Sequence, residues 1–289
     1  MFVVAEEKTV LEAFMHISTL FIWFILYSIA GWAFETAYCS IKGLKWDNRG
    51  MLNGPYCPIY GVGAVLSVLL CSGLSHWWQI FFVCMFGSVV LEYGTSYATE
   101  HIFHAVWWDY SNIPFNINGR VCLPASAGFG VAGILVQNVI HPCMLQITDR
   151  IPQFWQEILA LLFMAVFAAD CALTADSLIA LNAKLEATKK AIDLQISEKY
   201  NAFIENTKQN LSESLNSIKE KVSMDEFRER RSLEELKKTI STMNWTQIRA
   251  LRSSVSFRRA SYSDLGNKMR HTISFRRKKE KDEADDICD

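Results

Sequence analysis

Four carboxylates stand inside stretches of this chain that are otherwise almost free of charge: Glu35, Glu92, Asp170 and Asp176. At bilayer depth an ionised carboxylate costs at least about 2.5 kcal/mol on insertion scales, so each must face protein or water and find a partner. Glu92, Ser96, Glu100 and Phe103 follow one another at spacings of four, four and three. On a helix that spacing puts two carboxylates and a hydroxyl on one face. Arg49 and Arg120 are the natural counter-charges. Carboxylates so placed bind cationic groups and arginines bind anionic ones. With Glu92 or Asp109 as general base and Arg49 or Arg120 on a phosphate, the same set would act on a lipid-linked substrate. The plainer alternative is an ion-pair network that only holds helices together, and for Asp176 a simple helix-end charge. His101 and His104 are three apart, but spacing fixes no third ligand, so no metal and no cofactor is expected.

The densest stretch runs from Val106 to Arg120. Trp107, Trp108 and Tyr110 suit a headgroup boundary, where a ring is half apolar and half wet. Asp109, Ser111, Asn116, Asn118 and Arg120 add hydrogen-bonding capacity that such a belt does not require, and Pro114 and Gly119 break any helix. A folded re-entrant or capping loop is predicted, buried against protein because lipid does not tolerate irregular backbone. Asn48-Arg49-Gly50 and Asn53-Gly54-Pro55 build turns of the same kind, and Pro58 and Gly61 follow within the next helical turns.

These residues need long apolar elements to hold them. No Asp, Glu, Lys or Arg occurs between Arg49 and Glu92, and nearly uncharged windows fall at about 16–38, 55–74, 77–99, 122–146 and 156–178. At about 1.5 Å rise per residue each is long enough to cross roughly 30 Å of hydrocarbon. The reading is an all-α integral membrane protein of five spans over 16–178, after an extracytoplasmic segment 1–15, with loops 39–54 and 100–121 in the cytoplasm. Lys42, Lys45 and Arg49 orient the first loop inward, which puts the N-terminus outside and the C-terminus inside. No secretory signal is expected, since Glu6, Glu7, Lys8 and Glu12 precede the first span in place of a basic leader and no A-x-A-like cleavage site follows. The eight cysteines are scattered singly and read as small apolar packing residues.

From Leu178 the character changes. Residues 1–178 carry a net charge of −6 and residues 179–289 a net charge of +5. Leu181, Leu185, Ile192, Ile196, Tyr200 and Phe203 recur at helical spacing, predicting a long coiled-coil-like amphipathic helical region over 179–245 that packs on itself, on a twin or on the membrane surface. Residues 246–289 read as a disordered basic Ser/Arg-rich tail with an acidic end. In it Val-Ser-Phe-Arg-Arg at 255–259 recurs as Ile-Ser-Phe-Arg-Arg at 273–277. Arg258, Arg259, Arg276, Arg277, Lys278 and Lys279 are candidates for anionic lipid headgroups, at roughly 1 kcal/mol per basic residue near the surface. No nucleic-acid recognition fold accompanies them.

Several of these motifs together are similar to one family. Gly31-Trp32-x-x-Glu35, Asn48-Arg49-Gly50-x-Leu52-x-Gly54-Pro55-x-Cys57-Pro58-Ile59-Tyr60-Gly61, Glu92-Tyr93-x-x-Ser96, Trp107-Trp108-Asp109-Tyr110-Ser111 and Asn116-x-x-Gly119-Arg120 resemble the ABC-transporter permease family termed type IV or CmpB-like, over about residues 20–145. The resemblance implies a multi-pass protein of the bacterial inner membrane that transports an unknown substrate. It assigns no catalytic or binding role to the residues it marks. The sequence carries no G-x-x-x-x-G-K-[ST] phosphate loop, so a separate ATPase subunit is implied. Five spans are few for a complete path, so a homodimer or a partner permease is implied as well. The residues expected to form the path or its polar network are Glu35, Arg49, Asn53, Glu92, Ser96, Trp108, Asp109, Tyr110, Asn116, Arg120 and Asp170. No enzymatic activity is expected of this chain itself, since no nucleophile–base arrangement appears. The other readings are a scaffold or sensor recruiting partners through its tail, and a membrane-embedded enzyme acting on a lipid-linked substrate.

Overall fold

Helices dominate the computed structural model, which describes residues 2–43, 50–209, 232–257, 262–270 and 272. The chain divides into two compact units, the first comprising Met1–Ile102 and Val106–Ala175, the second Phe103–Ala105 and Asp176–Asp289.

The first unit holds α1 (Phe2–Gly43), α2 (Pro58–Cys71), α3 (Trp77–Phe103), α4 (Leu123–Leu135), α5 (His141–Thr148) and the start of α6 (Gln153–Gln209). A five-residue π-helical segment, Val136–Ile140, joins α4 to α5. Its cause is local. Pro142 has no N–H with which to continue the α ladder, and the backbone widens by a residue just before it, so that the His141 N–H reaches the Val136 carbonyl. Gln137 on this segment donates to the Ser67 carbonyl of α2 at 2.6 Å.

Among the described residues, four helices are long and apolar enough to cross a membrane: Ile17–Ile41, Trp77–Phe103, Leu123–Thr148 and Gln153–Lys199. The protein is thus a multi-pass helical membrane protein. The second apolar stretch differs from the expected full span. Its helix, Pro58–Cys71, has 14 residues, about 21 Å at the α-helical rise. Pro58 occupies the first turn, where its missing N–H costs nothing, and Cys57 before it is extended. The residues ahead of Pro58 run as irregular backbone along the protein instead. The Cys57 N–H donates to the Ser28 carbonyl at 2.9 Å, which pins the start of α2 beside the middle of α1. The crossing is close. A Cβ on Gly61 would meet Ser28 Oγ and the Phe24 carbonyl, and one on Gly31 would meet the Tyr60 ring.

The second unit is built on the remainder of α6. Leu178, Leu181, Leu185 and Ile192 form its buried stripe, which agrees with the expected apolar periodicity and is covered by the chain's own later segments. Residues 232–241 are helical, and α8 in chain order, counting that stretch as α7, is Trp245–Ser253. Thr188 bonds Thr239 at 2.9 Å, Lys184 donates to the Thr242 carbonyl and Gln247, and Ser177 donates to Thr246. The disorder expected from 246 onward is corrected over 246–257 and 262–270. Asn244 and Gln247 form a reciprocal capping box at the start of α8, and Leu251, Phe257, Tyr262, Leu265 and Met269 are buried. The charge of this stretch masks a sparse set of apolar residues that are nonetheless buried. Arg258, Arg259, Arg276, Arg277, Lys278 and Lys279 lie outside the described residues, as does Arg49.

Candidate functional site

The expected face of α3 is present. Glu92, Ser96 and Glu100 are 4%, 4% and 3% exposed, so three polar residues at successive turns are buried on one side of an otherwise apolar helix. What covers them is the 106–120 loop. Its strands β1 (Asn116–Ile117) and β2 (Val121–Cys122) pair antiparallel, with Asn116 opposite Cys122 and Ile117 opposite Val121. The turn between them uses positive φ at Asn118 (53°) and Gly119 (67°), the residue pair that tolerates this region best. A Cβ on Gly119 would also collide with Ser111 Oγ and Asp109 Oδ1.

Most of the loop's polar residues shape the loop itself. Asp109 accepts from the Ser111 N–H at 2.9 Å and from Ser111 Oγ at 2.5 Å, an Asx turn on the exposed side. Asn116 donates to the Ile113 carbonyl at 2.7 Å and accepts from the Gly119 N–H at 3.0 Å. Trp108 Nε1 donates to the Arg120 carbonyl at 2.8 Å. The outcome is two side chains delivered to α3, Arg120 and Tyr110.

Arg120 is 5% exposed and lies against the lower turns of the face. Its guanidinium pairs with Glu100 at 2.6 Å and donates to Ser96 Oγ at 3.0 Å. It lies 5.6 Å from the ring centroids of both Tyr93 and Tyr97, residues one turn apart. A planar cation between two rings and one carboxylate is the arrangement a guanidinium satisfies and an ammonium does not. Of the buried carboxylates on this face Arg120 thus neutralises Glu100 rather than Glu92, because the hairpin sets it two turns further along α3.

Glu92 keeps a different company. The Tyr110 hydroxyl donates to its Oε1 at 3.4 Å, whereas Oε2 is buried without a hydrogen-bond partner among the described residues. Burial first, and the Glu92 carboxylate next, push the Tyr110 phenol well above its ordinary value, so it remains a donor at physiological pH. Glu35 on α1 lies 4.0 Å from Cys57 Sγ, at the start of α2.

Asp170 and Asn53 form a separate cluster. The Asp170 carboxylate accepts from the Asn53 N–H (3.1 Å), Asn53 Nδ2 (2.9 Å), the Gly54 N–H (2.7 Å), the Tyr56 hydroxyl (2.6 Å) and Thr174 Oγ1 (3.3 Å). Its role follows from the irregular backbone before α2. Buried N–H groups without a ladder must be paired, and one carboxylate on α6 pairs two of them. Tyr56 and Thr174 were not singled out from the sequence, nor were Glu100, Tyr60, Tyr93 and Tyr97 as site residues. The four-residue spacing of Tyr93 and Tyr97 beside Ser96 and Glu100 was the available signal. Asp176 belongs to the second unit.

A cleft of about 150 Å³ lies between α2, α3 and α4, lined mostly by apolar residues, with Glu92 in its wall. No group of three or more metal-ligating side chains occurs among the described residues.

A family model described as "Putative ABC-transporter type IV" matches residues 22–175. The chain belongs to that family. The type IV match contains both carboxylate clusters and ends at Ala175, the last residue of the first unit. The second unit, apart from Phe103–Ala105, lies beyond it. No curated protein and no solved structure matches this type IV chain.

Proposed function

We propose that the chain is the permease-type membrane component of a transporter whose ATP hydrolysis comes from a separate subunit. The observation that carries this reading is the incomplete neutralisation of the buried polar set. In the first unit Glu92, Glu100 and Asp170 are buried together with a single buried arginine among the described residues, and that arginine is committed to Glu100. Asp170 is compensated by its donors, but Glu92 has one. A purely structural network gains nothing by leaving a carboxylate oxygen unsatisfied at depth, whereas a transport path needs an acceptor available to its substrate. Family membership supports transport, and the lack of a phosphate loop in the sequence supports an ATPase in trans. Lys42 and Lys45 assign the end of α1 to the cytoplasm under the positive-inside rule. On that reading the network opens toward the side where an ATPase docks, and a second copy or a partner permease completes the path in a bacterial inner membrane.

The test is purification of the full chain from native membranes after cross-linking, with the partners identified by mass spectrometry and ATP hydrolysis measured. An ATP-hydrolysing partner, with hydrolysis coupled to flux and uncoupled by Glu92→Gln in a normally inserted protein, is the expected result. Recovery of the chain without any such partner, or full function of the Glu92→Gln protein, refutes the reading.

A further inference from the structure

The cleft between α2, α3 and α4 has a polarity gradient that specifies an occupant. Apart from Glu92, its polar lining consists of Tyr60 at one end and small groups, Ser67, Cys84 and Ser88. Two of these satisfy each other, Ser67 Oγ and Cys84 Sγ at 3.3 Å. The remaining lining is apolar. Leu66 and Leu70 on its rim are 42% and 64% exposed, so the cleft opens sideways on the apolar surface of the unit, the surface that faces hydrocarbon in a membrane. Glu92, 4% exposed with Oε2 unpartnered among the described residues, is its one acidic group.

We propose that this cleft binds a small hydrophobic amine, its ring or short alkyl chain between α2 and α4 and its ammonium on Glu92 Oε2. Size, charge and access agree on this class. A cavity of about 150 Å³ is of the size that accepts a benzene-like group. The ammonium supplies both the donor that Oε2 lacks and the positive charge that balances the carboxylate; a neutral alcohol brings a donor without the charge, and an anion brings neither. A phosphate-bearing lipid is excluded by charge, since Glu92 repels it and the nearby Arg120 is held by Glu100 and Ser96. The inference rests on the transport reading for what happens to the amine next, but the binding step needs neither nucleotide nor partner.

The test uses the full chain in zwitterionic nanodiscs, with empty nanodiscs as baseline, and equilibrium dialysis of isotope-labelled n-hexylamine. Saturable binding of one amine per chain is expected, with n-hexanol and hexanoate failing to compete. Glu92→Gln should weaken binding by about tenfold or more, the loss expected when a charge-assisted hydrogen bond is removed. Ala132→Phe keeps the carboxylate but fills the cleft, and should abolish binding while leaving Glu92 in place. Absence of saturable hexylamine binding to the wild-type chain overturns the proposal, as does equal competition by hexanol or unchanged affinity in both variants. Should Glu92→Gln fail to give a monodisperse protein, the Ala132→Phe result and the hexanol competition decide. Amine binding without an ATPase partner would refute the transport reading alone, and an ATPase partner without amine binding would refute this one alone.

Discussion

Removing the Asp170 carboxylate tests whether an acidic side chain inside an apolar helix is there to hold irregular backbone. Asp170→Ala takes the acceptor from the Asn53 and Gly54 N–H groups, the Asn53 amide, the Tyr56 hydroxyl and Thr174 Oγ1. Asn53 Nδ2 retains Thr174 at 3.0 Å, so its loss is partial, and Thr174 can turn elsewhere. Three donors remain stranded. At about 1–3 kcal/mol for each buried donor left unsatisfied, and less than full additivity among neighbours, a loss of about 3–6 kcal/mol is expected. Asp170→Asn should cost less, about 2–3 kcal/mol: Oδ1 still serves Asn53, and Tyr56 can rotate its proton to accept from the new amide. The Gly54 N–H, however, then faces another donor. Tyr56→Phe removes a single bond and should cost about 1.5–3 kcal/mol at most, leaving both backbone amides paired. The assay is hydrogen exchange by mass spectrometry across residues 50–57 in nanodiscs, together with the thermal unfolding midpoint. Exchange should rise most for Asp170→Ala, less for Asp170→Asn and least for Tyr56→Phe. Unchanged protection of this segment in Asp170→Ala would refute the assignment, and faster exchange spread evenly over the first unit would show a packing defect instead.

The same reasoning gives further expectations. Arg120→Ala takes the guanidinium from the buried Glu100 carboxylate and should cost about 3–5 kcal/mol, whereas Arg120→Ala combined with Glu100→Gln should recover part of that loss; equal midpoints for the single and double variants would argue against the pairing. Gly119→Ala places a Cβ at φ +67° against Ser111 and Asp109 and should destabilise the hairpin by about 1–3 kcal/mol, seen as faster proteolysis within 109–120. Gly61→Ala should loosen the α1–α2 crossing through its collision with Ser28 and Phe24, while Gly94→Ala, whose Cβ would meet nothing within 4 Å, should gain about 0.5–1 kcal/mol; thermal unfolding of the two variants side by side checks the sign of each. Asn244→Ala removes the capping box of α8 and should cost about 1 kcal/mol, read as increased exchange confined to its first turn.

Much of the site's local geometry was legible before any tertiary structure. A helix repeats every 3.6 residues whatever surrounds it, so Glu92, Ser96 and Glu100 were bound to share a face, and Leu178, Leu181, Leu185 and Ile192 to share another. Likewise Pro114, Asn118 and Gly119 marked an irregular loop because their backbone preferences are intrinsic. Hydropathy, by contrast, reports length and polarity without direction. The second apolar stretch therefore looked long enough to span, although its helix is confined to Pro58–Cys71 by contacts with Ser28 and Asp170, residues far away in sequence.

Sequence alone thus determined which residues are apolar enough to be in the membrane, which polar ones fall on common faces, and which family motifs they make. Pairing was decided only by the tertiary structure. Whether Arg120 met Glu92 or Glu100 depended on a hairpin register that moves its side chain by two helical turns. That Asp170 serves Asn53, Gly54 and Tyr56 depended on bringing together groups more than a hundred positions apart. Hydrogen bonds and ion pairs act over a few ångströms, and no local propensity encodes which distant groups will come within that range. The oxygen of Glu92 left without a partner among the described residues, on which the functional reading turns, is visible only in the tertiary structure.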